Sequence, residues 1–211
     1  MFSTEHDTFN CSERLRTVTT KTLDRRVQRT QQLLQSALIA LIQERGYEAL
    51  SVQDIIDRAN VGRSTFYAHF DNKEDLLVSR LDGLRLSLQA RQREAKQRSV
   101  RPEDQLFAYS HDMFVHVDEH RNVFRAMVGK RSGAIIQKLF YKMLVDLVRG
   151  DLKAMTNQKG SSAVPQEAVV QLIAGGLFGL ILWWVDGPLK IPIDEVDAMF
   201  RRLALPAVKA V

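Results

Sequence analysis

Between positions 63 and 73 the chain gathers Arg63, Ser64, Thr65, Tyr67, His69 and Lys73, side chains that can contact a nucleic acid. An arginine can take both acceptors of a guanine, and Ser and Thr hydroxyls bond to bases or phosphates. Tyr and His reach phosphate oxygens or the methyl edge of a thymine. Lys73 follows Asp71 and Asn72, where a cation and the free N–H groups of a helix start would share one phosphate. Phe66 and Phe70, four apart, would turn together into a core and leave the polar set outside. Elsewhere the reactive inventory is thin. His116 and His120 have the spacing of a chelating pair on one helix face, but exposed or singly bonded histidines near a helix end have the same spacing. No phosphate loop follows a strand and no nucleophile elbow occurs. Cys11 is the single cysteine, so neither an intrachain disulfide nor a thiolate cluster can form. No catalytic residue, metal or cofactor is expected.

Two short helices must position the donors. Ser51, with Asp54 three residues on, is an N-cap pattern. Val52, Ile55, Ile56 and Ala59 then recur at helical spacing. Asn60 tolerates a left-handed backbone and suits a sharp turn. Val61 plugs the angle, Gly62 stands at the next cap, and a short helix over 63–70 carries the polar face. Ser51 and Arg29 join the candidate DNA contacts. The helix before this hairpin starts at Arg25, Arg26 and Arg29, buries Leu33, Leu34, Ala37, Leu38, Leu41 and Ile42, and ends at Gly46. Residues 1–24 read as a polar leader, either solvated or a basic arm reaching DNA. A plain helical hairpin in an all-α core would show much of the same pattern.

The rest of the chain predicts more helices and no strand. One long helix spans 72–98, with 91–98 as a solvated extension. Further helices cover 103–118, a piece from Val123, 134–156, 169–185 and about 194–207. Tyr109, Met113, Phe124, Met127, Phe140, Met143 and Phe178 could line an adaptable apolar pocket, although such stripes also build ordinary core. Few charges accompany them, which favours an apolar small-molecule effector. VVQLIAGGLFGLILWWV, residues 169–185, is apolar on nearly all faces but short of the ~20 residues of a membrane span. Leu172, Gly175, Gly176, Gly179 and Trp183, with Met199, Phe200 and Leu203 of the last helix, are expected to meet a second copy across a two-fold axis. Two reading helices would then stand about one DNA turn, ~34 Å, apart or somewhat more.

Charge distribution adds a constraint. Residues 1–80 carry 11 basic and 11 acidic side chains, residues 81–101 carry 6 and 2, and residues 102–211 carry 13 and 12. The reading segment therefore has no bulk positive charge, and a few cations must act by placement. The first 30 residues hold no apolar core segment, which favours a cytoplasmic protein.

Residues 29–77 closely resemble the DNA-binding domain of TetR-type transcriptional repressors. The resemblance rests on Gly46-Tyr47, Ser51-Val52, Asp54-Ile55-Ile56 and Ala59. Thr65-Phe66-Tyr67-Ala68-His69-Phe70 and Asn72-Lys73-Glu74-Asp75-Leu76 complete it. It differs at Asn60, where Gly is usual, and at Gly62 and Ser64, where Ser and Gly are usual, which puts the base-contact set in question. The resemblance implies an all-α chain: a leader over 1–24, a three-helix helix-turn-helix domain over 25–75, and a helical ligand-binding and dimerisation domain over 76–211. It further implies a homodimeric repressor on a palindromic double-stranded DNA operator, released by a small molecule through the long central helix. A helical ligand-binding or membrane-associated interaction protein without DNA binding is the competing reading.

Overall fold

The computed structural model describes residues 9–98, 101–128, 134–156, 164–188 and 191–209, with side chains of 9–24, 102, 126–128 and 154–156 outside the description. Among the described residues every regular element is a helix. The first, α1 (Phe9–Arg45), starts well before the expected Arg25, so the backbone from Phe9 onward is helical rather than a leader. Arg29 consequently lies within a helix, exposed, instead of opening one. Gly46 ends α1 at φ 77 and donates its N–H to the Ile42 carbonyl, which closes the last turn in a conformation costly for other residues.

α2 (Val52–Ala59) starts at a capping box. Ser51 Oγ accepts from the Asp54 amide at 3.2 Å, and the Asp54 carboxylate accepts from the Ser51 amide at 2.8 Å. The Ser51 hydroxyl, which also donates to Asp54 Oδ2 at 2.5 Å, and then the Ser51 amide hold the Asp54 carboxyl below its usual range. Asn60 turns the chain at φ 51, ψ 49, and the Val61 N–H reaches the Ile56 carbonyl at 3.0 Å. α3 (Arg63–Tyr67) follows Gly62 without a side-chain cap. α4 (Lys73–Arg98) starts where Asn72 Oδ1 accepts the amides of Glu74 and Asp75, both at 2.9 Å. Leu34, Leu38, Ile42, Ile55, Phe66 and Leu76 pack as one fully buried centre for α1–α4.

The second half holds α5 (Pro102–Gln105), α6 (Ser110–Glu119), α7 (Arg121–Val128), α8 (Ala134–Thr156), α9 (Gln166–Asp186) and α10 (Ile193–Val208). The expected single helix over 103–118 is broken at Leu106–Tyr109. Phe107 sits there at φ 55, fully buried against Phe200, with ring centroids 5.3 Å apart. Its amide donates to Asp151 Oδ2 at 2.9 Å, and its carbonyl accepts from Arg201 at 3.1 Å. Distant partners thus hold a kink that no local pattern announces. The far end of α4 is not simply a solvated extension. Gln92 is buried and donates to the Leu147 carbonyl at 2.9 Å and to Asp151 Oδ1 at 3.1 Å, locking α4 to α8.

α9 packs against α6, α7, α8 and α10. Among the described residues it is long and apolar enough to cross a membrane, but Val169, Val170, Ile173, Leu177, Ile181 and Trp184 are buried against those helices.

Candidate DNA-reading face and effector half

α3 separates its faces cleanly. Phe66 is fully buried, and Phe70 pairs with it at 5.9 Å between ring centroids. Arg63, Ser64 and Tyr67 are exposed, Thr65 and His69 half-buried. Tyr67 shows 46% of its surface, a large exposure for an aromatic residue with no partner chain present. The Arg63 guanidinium lies 5.7 Å from the Tyr67 ring centroid, so the two form one cationic–aromatic edge at the start of the helix. His69 lies beside Phe70, with ring centroids 6.3 Å apart and the rings tilted at 57°.

Two expected contacts are already engaged within the protein. Lys73, expected at a phosphate, points inward. Its ammonium donates to the Tyr47 carbonyl at 3.1 Å and the Leu50 carbonyl at 2.7 Å, 4.5 Å from the Tyr47 ring centroid. The reason is physical: the loop after Gly46 leaves carbonyls without helical partners, and a half-buried ammonium satisfies two at once. Burial pushes the Tyr47 phenol up to about 12, so this ring stays neutral beneath the cation. The Ser51 hydroxyl serves the α2 cap.

The seven expected pocket residues do not line one cavity among the described residues. Phe124 and Phe140, 5.1 Å apart, line a cavity of about 40 Å³ beneath Ile39, Ile42, Leu77 and Leu81. Met143 borders a different depression with Asp82, Arg85 and Lys142. Phe178 touches Phe140 and Tyr141 at 6.3 and 5.7 Å. Tyr109 and Met113 are fully buried core. The Met127 side chain lies outside the described residues. Phe124, Phe140, Tyr109 and Met113 sit on helix faces that pack into helix–helix core.

Sequence reasoning missed the buried polar cluster. Asp151 takes bonds from Gln92 and the Phe107 amide and lies 3.9 Å from Lys96. Burial nevertheless pushes its carboxyl up to about 6. Tyr109 Oη is buried without a hydrogen-bond partner among the described residues, and burial raises its phenol well above the usual range. The signal was present, since Gln92 and Asp151 are polar residues on apolar helix stripes, but only the fold pairs them. His116 and His120 stack at 4.3 Å on α6, and burial holds His116 down at about 4, with His120 and Arg80 adding to the shift.

On the outer face of α9 and α10, Leu172, Trp183 and Leu203 show 65, 51 and 74% of their surfaces, and Met199 is exposed beside them. Gly176 and Gly179 have open space where a Cβ would stand, whereas Gly175 faces Tyr141. Phe200 is a correction: it turns inward onto Phe107 and is buried within its own chain, although it also borders the groove between the two helices.

A buried aromatic pair carrying an exposed polar helix, after a tight αL turn and ahead of a helical second domain, defines a helix-turn-helix transcriptional regulator. Residues 34–79 match the profile of bacterial regulatory proteins of the tetR family, and residues 104–205 match that of a transcriptional regulator C-terminal region. The chain belongs to the TetR family, whose members bind DNA and small-molecule effectors. Over 58 residues it is 43% identical to the uncharacterized HTH-type transcriptional regulator YxbF of Bacillus subtilis, a match spanning 27% of this chain and only 15% of that protein. A TetR-family regulator from Syntrophomonas wolfei superposes with a TM-score of 0.70 at 19% identity, covering 86% of this chain and 96% of that one. The regulator FadR from Bacillus subtilis, in complex with stearoyl-CoA, gives 0.65 at 19% identity, covering 85 and 98%.

Proposed function

We propose that this regulator is a cytoplasmic, non-enzymatic repressor that binds a palindromic operator as a homodimer and leaves it when a small molecule binds the helical half. The exposed face of α3 is the observation that carries this reading. Arg63, Ser64 and Tyr67 project from a helix whose opposite side is anchored by Phe66 and Phe70. Arg63 takes a base edge, Ser64 and Thr65 bond to bases or phosphates, and Tyr67, His69 and Arg29 contact the backbone. Ser51 and Lys73 support these groups by shaping α2 and the loop before it.

The apolar surface of α9 and α10 supports pairing with a second copy, as Leu172, Trp183 and Leu203 have no cover in the single chain. Stearoyl-CoA in the FadR neighbour supports an effector with apolar character. Selection of bound sequences from random DNA tests the whole reading. Inverted half-sites about one helical turn apart are expected, with affinity falling steeply as salt rises. Recovery of no sequence at low salt would sink it. Leu203→Glu should give a monomer in sedimentation and lose operator affinity.

A further inference from the structure

Arg80, on α4, is a half-buried guanidinium without a carboxylate partner among the described residues. Its α4 neighbours differ: Arg85 pairs with Asp82, and Arg91 pairs with Asp112 and Glu94. Arg80 Nη2 instead lies 3.4 Å from His120 Nε2. His120 Nδ1 is 3.1 Å from the His116 carbonyl oxygen, which can only accept, so Nδ1 carries the proton. In that tautomer Nε2 is the ring's acceptor and takes the Arg80 N–H. A guanidinium with five donors is satisfied far better by a carboxylate, which accepts two of them side by side.

Arg80 also stands where two hollows meet. One is an open groove of about 490 Å³ against α1, bordered by Gln32, Gln35 and Gln43. The other is the apolar cavity of about 40 Å³ bordered by Leu77, Leu81, Phe124 and Phe140. Ile39, Arg80 and His120 border both. Among the described residues no carboxylate lines either hollow and Arg80 is the cation common to both, with the exposed Glu119 outside their linings. The groove alone has the size of a small-molecule site, typically about 300–1,000 Å³. His116, Glu119 and His120 bring donor atoms within 4.8 Å of one another. A divalent cation at that spot would face the Arg80 charge on His120, so an anion fits the field better.

We infer that the groove between α1, α4 and α6 binds an apolar molecule ending in a carboxylate, with the carboxylate on Arg80 and the tail directed over Ile39 toward Phe124. This rests on the ligand-responsive reading above and names its ligand class. The site joins α1 and α4, which frame the reading helix, to α6 of the second half. Taking Arg80 from His120 unties a direct link between them, so occupancy biases the placement of α3.

Titration calorimetry on the full chain with octanoate and its uncharged counterpart octanamide tests the assignment. Octanoate should bind once per chain, and octanamide more weakly by about 10- to 100-fold, the cost of losing a hydrogen bond to a charged group. Arg80→Gln should weaken octanoate to the octanamide level, and Arg80→Lys should restore part of the difference. Thermal unfolding of each variant verifies folding. No octanoate binding, equal affinity for the two ligands, or unchanged octanoate affinity in Arg80→Gln would each overturn the proposal. Operator affinity measured separately without ligand keeps the two readings distinct: failure to bind any DNA defeats the repressor reading while the calorimetry still decides the ligand class.

Discussion

The two halves of this protein turn their chain by opposite means. In the reading head, most breaks are closed by groups only a few residues away: Gly46 onto Ile42, Ser51 with Asp54, Val61 onto Ile56, Asn72 onto Glu74 and Asp75, with Lys73 on the Tyr47 and Leu50 carbonyls as the longer reach. In the second half, the break at Phe107 is held by Asp151 and Arg201, contributed by α8 and α10. A locally closed hairpin keeps its shape while the rest of the protein changes. A kink held by two other helices changes whenever those helices shift, as an effector domain requires.

The contrast breaks most readily at Asp151. Asp151→Ala would leave the Phe107 amide unsatisfied, take one of the two acceptors of Gln92, and should cost about 3 kcal/mol in thermal unfolding. A loss well under 1 kcal/mol would mean that the kink is held by apolar packing alone. The same residue predicts a pH dependence. Its folded carboxyl titrates at about 6, above the unfolded value of 3.8. The folded state therefore keeps a proton that the unfolded chain has lost, and stability should fall as pH rises from about 4 to 6. Asp151→Asn should flatten that slope; an unchanged slope would place the titration elsewhere.

Predictions for the reading head are smaller and sort into two kinds. Arg63→Ala should weaken operator binding by about 1–3 kcal/mol and relax specificity at one base position, read by competition binding. Lys73→Met should instead lower the melting temperature, by about 1–2 kcal/mol of stability, because two loop carbonyls lose their donor. Its dependence of affinity on salt should match wild type, whereas loss of a phosphate contact would reduce the slope by about one. Ser51→Ala removes an exposed cap and should cost about 1 kcal/mol, with DNA affinity following stability.

Legibility followed the same divide. The Ser51 cap, the Asn60 turn and the Phe66–Phe70 pair could be read from the sequence because each depends on residues within one or two turns. The family, too, was readable there, since its pattern occupies that locally closed stretch. Phe107 at positive φ could not be read, because the partners that stabilise it lie far along the chain. Lys73's bonds to the loop after α1 went unread for a related reason. Its position beside a helix start suggested a phosphate, while its true acceptors belong to the loop after α1. The expected pocket residues are aromatic and Met side chains, and periodicity cannot tell a cavity wall from a packed core. The upstream extension of α1 was hidden by the polar composition of residues 9–24, whose sequence shows no recognisable apolar stripe.

α9 ends with two adjacent tryptophans of opposite fate. Trp184 is buried, donates its indole N–H to the Ile191 carbonyl at 2.9 Å and lies under the Arg121 guanidinium at 4.5 Å. Trp183 faces outward on the surface proposed to pair with a second copy. With no other tryptophan in the chain, the protein carries a paired optical reporter: a fixed internal standard and an emitter whose colour follows the wetting of that surface. On dilution through dimer dissociation, only the Trp183 component should move to longer wavelength and become accessible to iodide. A light signal from one residue would then count subunits without any label.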